Sequence, residues 1–168
     1  LQAAKTYHHA RHGEVFGVEV SDVRFNFEKA NAHKTKVMDG MREGIAGLMK
    51  KRKVEVVFGQ ATLSEGRKVT VEGETHEADN ILVCTGSSPT HPPIPGIDGG
   101  NVVDSTGILE LEQLPKSLVV VGGGVIGCEF ACFFGSVGVP VTVLEALPEI
   151  GPTLDPDLAK ILRGELAK

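Results

Sequence analysis

Residues Leu118 to Glu145 read LVVVGGGVIGCEFACFFGSVGVPVTVLE, and this stretch decides the fold. It opens with a short β-branched run, Leu118 to Val121, and continues with Gly122-x-Gly124-x-x-Gly127. Apolar residues at helical spacing follow, and then a second apolar strand, Val139 to Leu144, that ends in the acidic Glu145. Strand, glycine loop, helix, strand and acid stand in the order needed to hold a dinucleotide. Gly122 allows a sharp turn out of the strand, Gly124 leaves the backbone bare for a pyrophosphate, and Gly127 permits close packing of helix on sheet. The helix N-terminus adds unpaired N–H groups and the positive end of its dipole. Glu145 lies 18 residues past Gly127, where a carboxylate can accept the hydroxyls of an adenosine ribose. The candidate cofactor-binding set is therefore Gly122, Gly123, Gly124, Val125, Ile126, Gly127 and Cys128, with Glu145.

Charge selects the cofactor. A carboxylate at Glu145 suits a free 2′-hydroxyl and repels a 2′-phosphate, and no Arg or Lys occurs among Ala146 to Leu154. The expectation is NAD rather than NADP. A βαβ turn without a ligand is the plain alternative, and the strand, helix and acid around the glycines weigh against it.

The 168 residues suffice for one domain or two small ones. A composition 41% hydrophobic and 23% charged is that of an ordinary globular protein. The net charge of −5 argues against a general nucleic-acid or membrane binder, and no apolar run approaches a membrane span. The N-terminus resembles no signal peptide and carries no initiator Met, so the chain is expected to be a piece of a longer protein. Cys84, Cys128 and Cys132 are odd in number and sit in apolar settings, which suggests reduced thiols in a cytoplasmic protein. Cys128 and Cys132, four apart on the proposed helix, are poorly placed for a relaxed disulfide and read as small core residues. His8 and His12 share a spacing that can hold a metal but have no acidic or Cys companion, and they read as a solvated face.

Upstream, Ala3 to His12 reads as the end of a helix closed by Gly13, and Val15 to Val20 as a short extended piece. A long helix is predicted from Asn26 to Lys53, with Val37, Met41, Ile45, Leu48 and Met49 on one face and Lys50 to Lys53 at its negative dipole end. Val54 to Phe58 reads as a strand. Gln60 to Leu63, Lys68 to Val71 and Thr75 to Ala78 read as an antiparallel meander. Ile81 to Cys84 reads as a strand buried on both faces, ending in Thr85-Gly86-Ser87-Ser88-Pro89. His91 to Gly96, with three prolines, reads as a semi-rigid linker. Ser105 is expected to cap a short helix through Leu111, and Asp155 to Ala167 to form a last helix.

The pairing of Ile81-Leu-Val-Cys-Thr-Gly-Ser-Ser-Pro89 with the Gly122 to Glu145 fingerprint resembles the flavoprotein pyridine nucleotide–disulfide oxidoreductases, over most of the chain from about Lys34 onward. Among them VVVGGGVIGCEFACFFGSVGVPVTVLEALPEI is most similar to the members that oxidise dihydrolipoamide. The resemblance implies an α/β fold with parts of two nested Rossmann-like dinucleotide-binding domains. Residues 1–113 would belong to the FAD domain with its β-meander, and residues 114–168 to the first βαβ unit of the inserted NAD domain. It implies that Ala61 touches the FAD adenine, that Thr85, Gly86 and Ser87 lie near the flavin, and that Glu129 stands near the nicotinamide. It further implies both FAD and NAD, a homodimer, and dihydrolipoamide carried on an acyltransferase or carrier protein of a 2-oxo acid dehydrogenase complex. Neither nucleic acid nor a membrane is an expected partner. On the residues alone, the Thr85-Gly86-Ser87 turn reads equally well as a plain strand end.

The family's first Gly-x-Gly-x-x-Gly, its Cys-x-x-x-x-Cys redox pair and its His-Glu acid–base pair are not in these residues, so no catalytic residue is assigned and the isolated chain is expected to be inactive. Other readings stay open: a mercuric or glutathione reductase type of the same family, or a non-catalytic NAD-binding module.

Overall fold

The computed structural model describes residues 1–167, which form two compact units. One comprises Leu1–His33 and the segment from Gly100 onward; the other is Lys34–Gly99.

The first unit is built on a parallel pair. Strand β4 (Leu118–Val121) and strand β5 (Val141–Leu144) align Leu118 with Val141 and Val121 with Leu144. Helix α3 (Val125–Ser136) connects them and packs on both strands. Parallel strands need such a crossover, and the Val-rich strands with an almost wholly apolar helix supply it. The second strand is shorter than Val139 to Leu144: Val139 and Pro140 precede the ladder, and Pro140 contributes its carbonyl to Leu118 N–H at 2.9 Å.

Helix α1 (Gln2–Arg11) lies against α3. The core of this unit is Ala4, Ile108, Phe134, Val137 and Val139, flanked by Tyr7, Phe25, Phe27, Phe130 and Phe133. Phe134 is its most deeply buried side chain. Rings meet edge-on at 5.1 Å between Phe133 and Phe134 and at 5.5 Å between Tyr7 and Phe25, a favoured aromatic geometry. Helix α4 (Pro156–Leu166) starts where the sequence places it, with Asp155 Oδ1 accepting from Asp157 N–H and proline in the first turn.

Helix α2 (Phe27–Lys51) begins at Asn26, whose Oδ1 accepts from Lys29 N–H at 2.8 Å. No residue of α2 is fully buried, and Met41 and Ile45 are exposed. In the second unit, β1 (Ala61–Ser64), β2 (Lys68–Val71) and β3 (Glu74–Glu77) form the antiparallel meander in the order β1-β2-β3.

Several expectations are corrected. Val54 to Phe58 and Ile81 to Cys84 are not strands, and Leu82 is exposed. An apolar run becomes a buried strand only beside other strands, and no described segment pairs with either run. Val15 to Val20 forms no strand: Gly13–Phe16 form a 3-10 turn closed by Gly17 in the left-handed region, and residues 18–20 are irregular. The short helix after Ser105 is a single 3-10 turn, Gly107–Glu110. Asp104, not Ser105, organises it, its Oδ1 accepting from Thr106 N–H and Gly107 N–H. Cys132 is exposed, while Cys128 is buried as expected. His8 and His12 stack at 4.2 Å on an exposed face, and no metal-binding cluster occurs among the described residues. Nor, among those residues, is any helix long and apolar enough to cross a membrane.

Candidate nucleotide-binding site

The parallel register fixes the geometry of the glycine loop. Val121 pairs with Leu144, and the ladder continues one step further as Gly122 N–H donates to Leu144 C=O at 2.8 Å. The next residues on each side, Gly123 and Glu145, therefore come together at the ends of adjacent strands. Gly122 adopts φ +105°, a turn that a residue with a side chain would strain to make.

Gly123 is buried and fully engaged. Its N–H donates to Glu145 Oε2 at 2.7 Å, and its carbonyl accepts from Gly151 N–H at 2.7 Å and from the Cys128 thiol at 3.3 Å. Glu145 Oε1 accepts from Leu147 N–H at 2.8 Å. The Leu147 N–H, then the Gly123 N–H, hold the Glu145 carboxyl below its ordinary pKa. An ionised carboxylate has about four acceptor positions, so these backbone bonds do not use all of them. Burial first, and the negative charge of Glu145 second, push the Cys128 thiol up.

Gly124 is the N-cap of α3, and no side chain caps the helix there. A β-carbon built on Gly124 would meet nothing within 4 Å, so this flank of the loop is open to an approaching group. Val125 and Ile126 are exposed at its rim. Gly127 is different. A β-carbon there would strike the Gly122 carbonyl oxygen and lie 3.1 Å from Cγ1 of Val120. The three motif glycines thus do three jobs: turning, opening and close packing. An N-terminal helix turn with uncapped N–H groups, an open flank and an adjacent carboxylate suits a dinucleotide with a free ribose.

Glu129 stands one turn further along α3 on an exposed face. In the second unit, Ala61 opens β1 opposite Val71, and Thr85, Gly86 and Ser87 are exposed in irregular backbone, with Gly86 at φ +71°. Sequence reasoning did not find the return of Ile150 and Gly151 onto Gly123. Nor did it find that Glu149 on the same segment pairs with Arg163 Nε at 3.1 Å. The available signal was the glycine at 151, directly after Ile150, which the structure places at φ +60°.

The family described as pyridine nucleotide-disulphide oxidoreductase matches residues 2–168. The chain is 36% identical to a dihydrolipoyl dehydrogenase of Bacillus subtilis, covering 99% of the chain and 38% of that protein. It is 39% identical to one of Acholeplasma laidlawii, covering 94% and 48%. The chain thus spans less than half the length of these curated relatives. Among solved structures, the HOCl-induced flavoprotein disulfide reductase RclA from Escherichia coli is similar at TM-score 0.77 and 32% identity, covering 98% of this chain and 36% of that one. The α/β fold with Rossmann-like units agrees with that likeness, and the chain belongs to the pyridine nucleotide–disulphide oxidoreductase family.

Proposed function

We propose that this chain is the nucleotide-holding part of an NAD-dependent dihydrolipoyl dehydrogenase. Residues 1–113 would contribute to its FAD domain and residues 114–168 would open its NAD domain. The observation that carries the reading is the Glu145 carboxylate, fixed by two backbone N–H groups beside a glycine loop with an open flank at Gly124. The likeness to dihydrolipoyl dehydrogenases over nearly the whole chain supports the substrate class. The family, and the flavoprotein named among its structural neighbours, support FAD.

FAD and NAD, when bound, supply the electron and hydride transfer, and the chain holds and orients them. The open flank at Gly124 and the first turn of α3 would receive the NAD pyrophosphate, with the helix dipole offsetting its charge. Glu145 would accept the ribose hydroxyls and repel a 2′-phosphate. Glu129 would lie toward the nicotinamide; Ala61, Thr85, Gly86 and Ser87 would lie along FAD. The proposed partners are a second copy of the chain and lipoamide on the acyltransferase or carrier protein of a 2-oxo acid dehydrogenase complex.

Glu145→Arg in the FAD-loaded holoprotein tests the nucleotide assignment. NADH affinity falls and NADPH affinity rises; an unchanged preference overturns it. The likeness to RclA at 32% identity favours a second reading, a flavoprotein reductase of another disulfide. Turnover of the whole parent enzyme with dihydrolipoamide separates the two.

A further inference from the structure

Position 123 is a free position in Gly-x-Gly-x-x-Gly, yet here it is glycine and buried. The reason lies in the segment after β5. From Glu145 the chain runs through Ala146-Leu147-Pro148-Glu149-Ile150 and returns to Gly123, where Gly151 N–H reaches the Gly123 carbonyl at 2.7 Å. A β-carbon on Gly123 would lie 2.6 Å from Cγ2 of Ile150, 3.0 Å from its Cβ and 3.2 Å from Glu145 Oε2. Ile150 is thus seated directly on the bare face of Gly123. The segment is tied down at its far side as well: Arg163 Nε on α4 meets both carboxylate oxygens of Glu149, at 3.1 and 3.2 Å.

We propose that Gly123, Ile150 and Gly151 form a clasp that sets cofactor specificity by fixing the position of the Glu145 carboxylate. The inference rests on the reading of Glu145 as the ribose-binding acid. One residue joins the parts: the Gly123 carbonyl accepts from Gly151 N–H and the Cys128 thiol, and the Gly123 N–H donates to Glu145. A carboxylate anchored in this way cannot swing aside for a 2′-phosphate. The two cations that follow Glu145 already have carboxylate partners, Lys160 with Asp157 and Arg163 with Glu149. Ile150 and Gly151 are positioning residues, and discrimination between the two nucleotides is what they position.

The test uses the FAD-loaded holoprotein, with calorimetric Kd values for NADH and NADPH and the flavin spectrum as a check of folding. Gly123→Ala pushes Ile150 off the loop. NADH binding weakens by about tenfold, the cost of misplacing one charged hydrogen-bonding group, and NADPH binding weakens much less, so the preference narrows. Adding Ile150→Ala to that variant removes the 2.6 Å clash and recovers part of the lost NADH affinity. Ile150→Ala alone adds no atom and keeps the test alive if Gly123→Ala does not fold; it narrows the preference in the same direction. Equal weakening of both nucleotides by Gly123→Ala, no recovery in the double variant, or an unchanged preference in Ile150→Ala overturns the clasp. Glu145→Ala is the separating arm. If it leaves NADH binding unchanged, the ribose assignment fails, and the clasp fails with it; if it weakens NADH while the other variants do nothing, the clasp alone fails.

Discussion

Gly123 donates its backbone N–H to Glu145 Oε2 at 2.7 Å, across the mouth between two parallel strands. The bond joins residues 22 positions apart, and it exists because Val121 and Leu144 end the ladder side by side. It makes the glycine loop and the acid one unit before any ligand arrives. Glu145→Gln replaces one carboxylate oxygen by an NH2 group, which cannot accept from Gly123 or Leu147. Because the folded-state pKa is lowered from 4.5, the stabilisation by Glu145 is present above about that pH and lost as pH falls through the folded value. Thermal melts therefore show wild type above the Gln variant at neutral pH, with the gap closing in acid below pH 4.5. A gap independent of pH would falsify the assignment of this carboxylate as the stabilising group.

The same carboxylate acts on Cys128. Burial and then the Glu145 charge disfavour the thiolate, whereas Cys84 and Cys132 are exposed. At pH 8, iodoacetamide followed by peptide mass spectrometry labels Cys128 last of the three, since the thiolate is the reactive form. In Glu145→Gln the labelling of Cys128 quickens, because one of the two causes is gone. Equal labelling rates for all three thiols would contradict the burial of Cys128.

Much of this site was legible because its causes are local. The β-branched run, the glycine spacing and the apolar helix specify β4, α3 and β5 within the window 118–144, and Asp155 with Pro156 specifies the start of α4. The meander was legible for the same reason, since Glu65-Gly66 and Glu72-Gly73 mark its turns. What escaped depends on partners distant in sequence. Ile81 to Cys84 has the composition of a central strand, but composition cannot supply the neighbour that a ladder requires. Asp104 takes the place of Ser105 because its Oδ1 meets the N–H groups two and three residues on, those of Thr106 and Gly107. The return of Ile150 and Gly151 to Gly123 left no periodic trace at all, because a loop makes it.

The glycines at 124 and 127 separate binding from folding. At Gly127 an added methyl meets the Gly122 carbonyl oxygen, a backbone atom that cannot turn away, and Cγ1 of Val120 at 3.1 Å. Gly127→Ala therefore destabilises the fold by about 1–3 kcal/mol, the usual cost of overpacking. Gly124 has φ −70°, and an added methyl there meets nothing. Gly124→Ala leaves the melting temperature within a degree or two, roughly a 0.5 kcal/mol effect, but fills the open flank and weakens NADH. Urea unfolding paired with NADH titration distinguishes the two; a binding defect without destabilisation in Gly127→Ala would reverse the assignment.

Phe134 ties the loop-bearing helix to the rest of its unit. It is 2% exposed and sits among Ala4, Ile108, Val137 and Val139, with the Phe133 ring at 5.1 Å and the Phe27 ring at 6.4 Å. These neighbours come from α1, the start of α2, the 3-10 turn at Gly107–Glu110 and the turn before β5, so one side chain closes contacts spread over the sequence. Phe134→Ala leaves a cavity that backbone on several sides cannot collapse to fill, and costs about 3–5 kcal/mol. Cys132→Ser, two residues away on the exposed face of the same helix, changes stability by no more than about 0.5 kcal/mol. Denaturant midpoints at equal slope measure both, and a Phe134→Ala loss as small as that of Cys132→Ser would show that α3 is not anchored through this ring.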